Sequence, residues 1–250
     1  MIDSITFGSN LDISLLIVDN SDSVKDSNLF NKVKSSSFIS LINPGYNLGY
    51  FGAAQYGLEH IKNYGRLADF TIISNPDLIY SADFFKHLNK LRIESNIGVI
   101  APKVINHPSC TNANPYFSQR PTRQKIRFLR RVHSNVYTLL FYTLLFEFKR
   151  KLVKKKQSLE QEYIYAPHGS CIIFCKKYFE HNCEFKFPGF LFGEEIFVGE
   201  TCRNLNLKII IDNNLVVNHY EHSSIGKLKS KSIANYARHS LKILEDDFFK

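Results

Sequence analysis

The chain has 250 residues, 44% of them apolar, and a formal net charge of +9. That is enough for one large α/β domain, or two small ones, with a packed core, and it excludes an intrinsically disordered chain. Cys110, Cys171, Cys175, Cys183 and Cys202 form no CxxC pair and no zinc-like spacing with the histidines, which argues against a metal site built on sulfur and predicts reduced thiols in a cytosolic protein.

The opening Met-Ile-Asp-Ser-Ile-Thr-Phe has neither a basic lead nor an apolar core, so no signal peptide is expected. Residues 13–19 form a nearly continuous apolar run ending in Asp19-Asn20-Ser21, the pattern of a buried parallel strand with an acid at its exit. Such an acid is either a turn residue or a carboxylate that bonds a ribose or a base.

A short strand from Phe38 to Leu41 is followed by Asn43-Pro44-Gly45-Tyr46-Asn47-Leu48-Gly49-Tyr50-Phe51-Gly52, which runs into a helix over 54–64. A glycine-rich loop that opens a helix points free N–H groups and the positive dipole end at whatever occupies the crevice, a phosphate or a base edge, although glycines also mark plain turns. The strand 70–74 stops at Asn75-Pro76-Asp77. That is an ordinary turn, or a lone strand-end carboxylate held by a stiff proline and suited to a metal. A helix begun by Ser81 and a strand over 97–100 complete an alternation that predicts βαβ units and a mostly parallel sheet. From Pro102 to Gln119 the chain reads as loop.

The positive charge is local. Residues 120–156 hold twelve Lys and Arg against Glu147 alone, a net +11 that leaves −2 for the rest of the chain. The centre of that segment, residues 136–148, is apolar on nearly every face, yet its 13 residues are too short to cross a bilayer as a helix, which takes about 20. The segment reads as a helix lying in the interface of an anionic leaflet, or as a buried helix with a solvated basic collar. No nucleic-acid motif accompanies the charge, so no nucleic-acid partner is expected.

The last third returns to strands: 171–175 after the turn Pro167-His168-Gly169-Ser170, then Lys208–Ile211, then Leu215–His219. Between them, Phe190-Leu191-Phe192-Gly193 delivers the adjacent acids Glu194 and Glu195. Helix-dipole pairing explains one of these acids, and a base of raised pKa in a partly dry site explains a bulky apolar run in front of both. His219 at a strand end is either a metal or phosphate ligand or a satisfied surface histidine. The tail from Lys227 to Lys250 reads as a helix.

Seven stretches in order resemble the family-two glycosyltransferases of the GT-A fold, in particular bacterial surface-polysaccharide enzymes related to rhamnosyltransferases. They are LLIVDNSD at 15–22, NLGYFGAAQYG at 47–57, ISNPD at 73–77, IGVIAPKV at 97–104, YAPHGSCIIF at 165–174, FLFGEEIFVGE at 190–200 and VVNHYEHSS at 216–224. The resemblance implies one 1–250 domain with a mostly parallel sheet flanked by helices, a membrane-proximal helical insertion over 120–160 and a C-terminal helix over 227–250. It implies that Asp19, Asn47, Gly49, Gly52, Asn75 and Asp77 meet a nucleotide-sugar donor. Asp77, with His219 near the diphosphate, would hold Mg²⁺ or Mn²⁺. Glu195 would be the base, with Glu194 beside it. An inverting transfer to a lipid-linked or glycan acceptor follows, in O-antigen or capsule synthesis, by a cytoplasmic protein peripheral on the inner face of the cell membrane.

Three departures from that family stand out. Glu195 replaces an aspartate, Gln55 replaces an asparagine, and no counterpart of the family's first central strand is read before Ile13, which leaves a catalytically impaired, membrane-associated binding module as the alternative.

Overall fold

A computed structural model describes residues 1–5, 12–21, 27–64, 68–142, 161–180, 184–220 and 230–250. In order these form α1 (Ile2–Ile5), β1 (Leu15–Val18), α2 (Ser27–Lys34), β2 (Ile39–Ile42), α3 (Tyr50–Tyr64), β3 (Phe70–Ser74), β4 (Leu78–Tyr80), α4 (Phe84–Lys90), β5 (Ile97–His107), β6 (Thr111–Asn112) and α5 (Arg123–Val132). A helical stretch α6 follows over 136–142, then β7 (Gln161–Ile164), β8 (Cys171–Cys175), α7 (Lys176–Glu180), α8 (Glu194–Asn204), β9 (Lys208–Tyr220) and α9 (Ser230–Phe248). The remainder of the basic insertion, 143–160, and the expected start of the tail helix, 227–229, lie outside the described residues. So do Cys183 and residues 221–224 of the histidine stretch.

The order β3-β8-β5-β9-β4 makes the main sheet, with β6 on β5 and β7 on β9. β8 runs antiparallel to both β3 and β5, and β9 is parallel to β5, so β3, β5 and β9 share one direction. The shorter β4, β6 and β7 also run against their neighbours. Period-two alternation sends side chains to two cores. Val99, Ala101, Ile172, Phe174, Ile209 and Ile211 face a layer built from α3, α5, α7, α8 and α9. Ile100, Val104, Ile173, Ile210, Leu215 and Val217 face Tyr80, Phe84, Phe85 and Leu88 on the other side. This is the expected three-layer α/β architecture.

β1 and β2 pair in parallel as a separate two-stranded sheet. Among the described residues no strand bonds the second edge of β1 or of β3, and every residue of both strands is only half-buried despite its apolar character. Residues of both strands line one cleft. Leu16 and Val18 face α3 across Gly57, and Leu15 faces the opposite core, so β1 keeps the layer order of the main sheet.

Several boundaries differ from the sequence reading. Turn residues Asp212-Asn213-Asn214 do not break β9; they form a bulge opposite Pro102 and Lys103. The Asp212 carboxylate takes the Asn214 N–H at 2.9 Å and pairs with His87 Nε2 at 3.0 Å, so the turn chemistry is spent inside the strand. β5 continues through the supposed loop to His107, because β9 and β6 supply it with partners. The Ser81 N–H is held by Val216 O at 3.0 Å, which delays α4 to Phe84.

Four arginines of the basic segment pair with two buried acids. Arg123, Arg127 and Arg130 on α5 converge on Glu245 of α9, a residue only 5% exposed. Arg120 Nε donates to Glu200 Oε1 at 2.6 Å, where the Tyr165 hydroxyl also donates at 2.6 Å, and Arg203 reaches Oε2 at 3.1 Å. Burial alone would raise the pKa of Glu200, but the hydrogen bonds from Arg120, Tyr165 and Arg203 bring it below the usual carboxylate range. A lowered folded-state pKa means that its stabilisation is complete above the unfolded pKa and is lost as pH falls through the folded value. Glu200→Gln is therefore expected to cost about 1–3 kcal/mol in urea melts at neutral pH, a difference that disappears on acidification.

Candidate active site

One open cleft of about 2690 Å³ is lined by Asp19, Asn47, Gly49, Asn75, Asp77, Glu194, Glu195 and His219, which the sequence scatters over two hundred positions. Gly52 does not line it. That residue lies in the first turn of α3, where a Cβ would stand 3.0 Å from Leu48 Cβ.

The β1 end of the cleft is latched by backbone bonds. Asn20 accepts from Leu48 N–H at 2.8 Å and donates to Gly49 O at 2.9 Å, while Asn47 Oδ1 caps Gly49 N–H at 2.9 Å. Asp19 accepts from Ser21 N–H at 3.1 Å and from Asn43 Nδ2 at 3.3 Å, which uses part of the carboxylate in the turn and leaves it at the rim. Gly49 has φ +75, and a Cβ there would lie 2.2 Å from Phe190 O. Only glycine permits that approach, which joins the loop before α3 to the aromatic run before Glu194.

The strand-end acid acquires its partner from the fold. β4 pairs antiparallel with β9 and sets Leu78 against His219, which brings Asp77 Oδ1 to 3.3 Å from His219 Nε2. His219 Nδ1 lies 3.2 Å from Asn106 Oδ1. An amide oxygen accepts, so Nδ1 carries a proton, and in the neutral ring the Nε2 lone pair faces the carboxylate. Among the described residues no group of three or more His, Cys, Asp or Glu could hold a metal, and Asp77 with His219 is the pair placed to contribute to one.

Glu194 and Glu195 open α8 behind Gly193. Burial, then the charge of Glu195, pushes the Glu194 carboxyl well above the usual range. Burial also raises Glu195, but the backbone N–H groups of Glu195 itself, Gly193 and Gly169 bond its carboxylate and oppose the rise. Burial thus favours the neutral form of both carboxyls, most strongly at Glu194, while the backbone N–H groups favour the ionised form of Glu195. Gly169 is required here because a Cβ would meet Glu195 Oε1 at 2.8 Å, and the Tyr50 hydroxyl holds Gly169 O at 2.6 Å.

Four residues of this neighbourhood escaped the sequence reading. Tyr50 bonds the loop of Glu195, and half-exposed Tyr116 lines the cleft near both acids. Asn114, 1% exposed, accepts the His168 N–H at 2.7 Å. His168 lines the cleft, its rings 6.1 Å from those of His219, and burial followed by the charge of His219 lowers its pKa to about 4. The turn pattern Pro-His-Gly-Ser was the available signal. Gln55 is a brace: its Oε1 accepts the Phe185 N–H at 2.7 Å.

No family model matches the chain, and no curated protein matches it in sequence. Solved structures do share its fold. GalNAc-T7, solved with UDP, GalNAc and Mn²⁺, superposes with a TM-score of 0.55 at 14% identity, covering 88% of this chain and 41% of that one. S. aureus TarS 1-349, solved with UDP-GlcNAc, gives 0.55 at 9% identity over 92% and 56%. The mannosyltransferase PcManGT from Pyrobaculum calidifontis, solved with GDP-Man and Mn²⁺, gives 0.50 at 11% identity over 87% and 51%. The chain thus spans about half the length of these neighbours, and its fold is that of the GT-A glycosyltransferases.

Proposed function

We propose that the protein transfers a sugar from a nucleoside-diphosphate donor to a hydroxyl acceptor, with inversion at the anomeric carbon. One observation carries this reading: Glu195, whose carboxyl is held by three backbone N–H groups, shares a cleft with the pair Asp77 and His219 at the strand ends of a GT-A sheet. The nucleotide sugars and Mn²⁺ bound by the structural neighbours support the donor class.

In the proposed step the acceptor oxygen bonds to the anomeric carbon, the carbon–oxygen bond to the diphosphate breaks, and its electron pair leaves with the diphosphate. The acceptor proton passes to Glu195. A single base with no protein nucleophile gives one displacement and hence inversion. Asp77 and His219 would hold Mg²⁺ or Mn²⁺, and the cation would offset the charge developing on the leaving diphosphate. Asn20, Asn47 and Gly49 shape the wall that the nucleoside meets.

The acceptor is proposed to be lipid-linked or a growing surface glycan, as in O-antigen or capsule assembly, with the protein peripheral on the cytoplasmic face of the membrane. Support comes from the rim: His133 at the end of α5 lines the cleft, and beyond it Tyr137, Leu140 and Phe141 are 80, 53 and 65% exposed. Lys125 lies over the rings of Phe128 and Tyr142. Cations beside exposed aromatics suit an anionic interface. No helix among the described residues is long and apolar enough to cross a membrane.

The test is to incubate the protein with Mn²⁺, vesicles carrying anionic lipid and a panel of UDP-, GDP- and dTDP-sugars. We expect sedimentation with anionic but not with neutral vesicles, and depletion of one donor. A chain that sediments and binds a nucleotide yet consumes no donor supports the second reading, a membrane-associated binding module, which the open edges of β1 and β3 favour.

A further inference from the structure

The turn 165–170 is fixed on several sides. Tyr116 and Phe117 N–H groups both donate to Ala166 O, at 3.1 and 3.2 Å. Asn114 accepts the His168 N–H and donates its own Nδ2 to Pro102 O, both at 2.7 Å. At the turn's far end Asn75 N–H donates to Ser170 O at 2.8 Å, which ties it directly to the Asn-Pro-Asp stretch. A histidine backbone held this firmly presents its ring in one orientation.

The ring's proton is fixed as well. Ser170 N–H points at His168 Nδ1 at 3.3 Å, and Ser170 Oγ lies 2.8 Å from the same nitrogen. A backbone N–H has only a proton to offer, so Nδ1 must present its lone pair, and the neutral ring then carries its hydrogen on Nε2. Ser170 is 3% exposed, so water does not compete for that bond. His168 is therefore a neutral donor at the wall of the cleft, in ring contact with His219, which itself pairs with Asp77.

We propose that His168 Nε2–H donates a hydrogen bond to a diphosphate oxygen of the donor, a contact from a residue that the sequence reading did not assign to the site. The proposal rests on the transferase reading above. Its chemistry complements the Asp77–His219 pair. A neutral N–H offers a directed contact to a phosphate oxygen without adding a second positive charge beside a metal-ready site, and charge-assisted hydrogen bonds of this kind are the stronger ones. The proton stays on Nε2 throughout, and it is the same proton in substrate and product complexes.

The test combines calorimetry with nitrogen NMR on the full chain. The probes are UDP, GDP and dTDP, each with Mn²⁺. Wild type is expected to bind one of them; His168→Phe, which fills the space without a donor, is expected to weaken that binding about 10-fold or more. His168→Gln offers an oxygen to Ser170 N–H and an N–H₂ to the cleft, and is expected to recover most of the loss. The ring ¹⁵N spectrum of wild type is expected to show a bare Nδ1 and a protonated Nε2. Unchanged affinity in His168→Phe overturns the assignment while leaving the transferase reading intact, as does a glutamine variant as weak as phenylalanine or a protonated Nδ1. Failure of wild type to bind any of the three nucleotides overturns both.

Discussion

Glu195→Gln is expected to slow sugar transfer by about 10²–10⁴-fold, the usual worth of a positioned general base, while nucleotide affinity changes by less than about threefold. Glu194→Gln is expected to keep most of the activity, because the amide reproduces the protonated acid that burial and the neighbouring charge already enforce. Initial rates of the two variants decide between them: if Glu194→Gln is the slower enzyme, the two carboxyls exchange roles. The pH profile follows the same logic. The base must be ionised, and burial raises its pKa, so kcat is lost as pH falls through a value above the ordinary carboxylate range. Stability runs the opposite way. A folded-state pKa raised above the unfolded one contributes stability at low pH that is lost as pH rises through the folded value. Both glutamine variants are therefore expected to melt above wild type at neutral pH, a cost the native pair bears for its chemistry.

Asp77→Asn is expected to weaken Mn²⁺-dependent nucleotide binding by about 10–100-fold, a loss already typical when a partner one shell further from a metal is removed. The asparagine keeps the shape of the turn and of the pairing with His219 but removes the negative charge that makes a cation welcome. Calorimetry of UDP and GDP with and without Mn²⁺ separates the two contributions. The metal's enhancement should vanish in the variant while the metal-free affinity stays put. Equal enhancement in both proteins would remove Asp77 from the metal site.

These residues were legible in the sequence to different degrees, for physical reasons. β3 and β8 were readable because each is a short β-branched run closed by turn chemistry, and their boundaries hold in the structure. Asp77 was readable as a strand-end acid, but its pairing with His219 was not, since it depends on an antiparallel register between segments far apart in sequence. β9 misled because Asp212-Asn213-Asn214 has turn composition, whereas neighbours on both edges hold the chain extended through a bulge. Glu195 could be singled out from its company of aromatics. Its distinction from Glu194 required the Gly169 and Gly193 amides, contacts that only a folded chain supplies. The basic run was counted correctly as charge, but not as the set of internal pairs that Glu200 and Glu245 make of it.

Tyr50 is a mechanical part of the cleft. Its backbone N–H is bonded to Phe190 O at 3.2 Å and its hydroxyl to Gly169 O at 2.6 Å, so one residue at the start of α3 grips both segments that flank Glu195. The loop in front of that residue is the wall shared with Asn20 and Asn47. Tyr50 thus ties the position of this wall to the two segments around Glu195, so the two halves of the cleft share one mechanical joint.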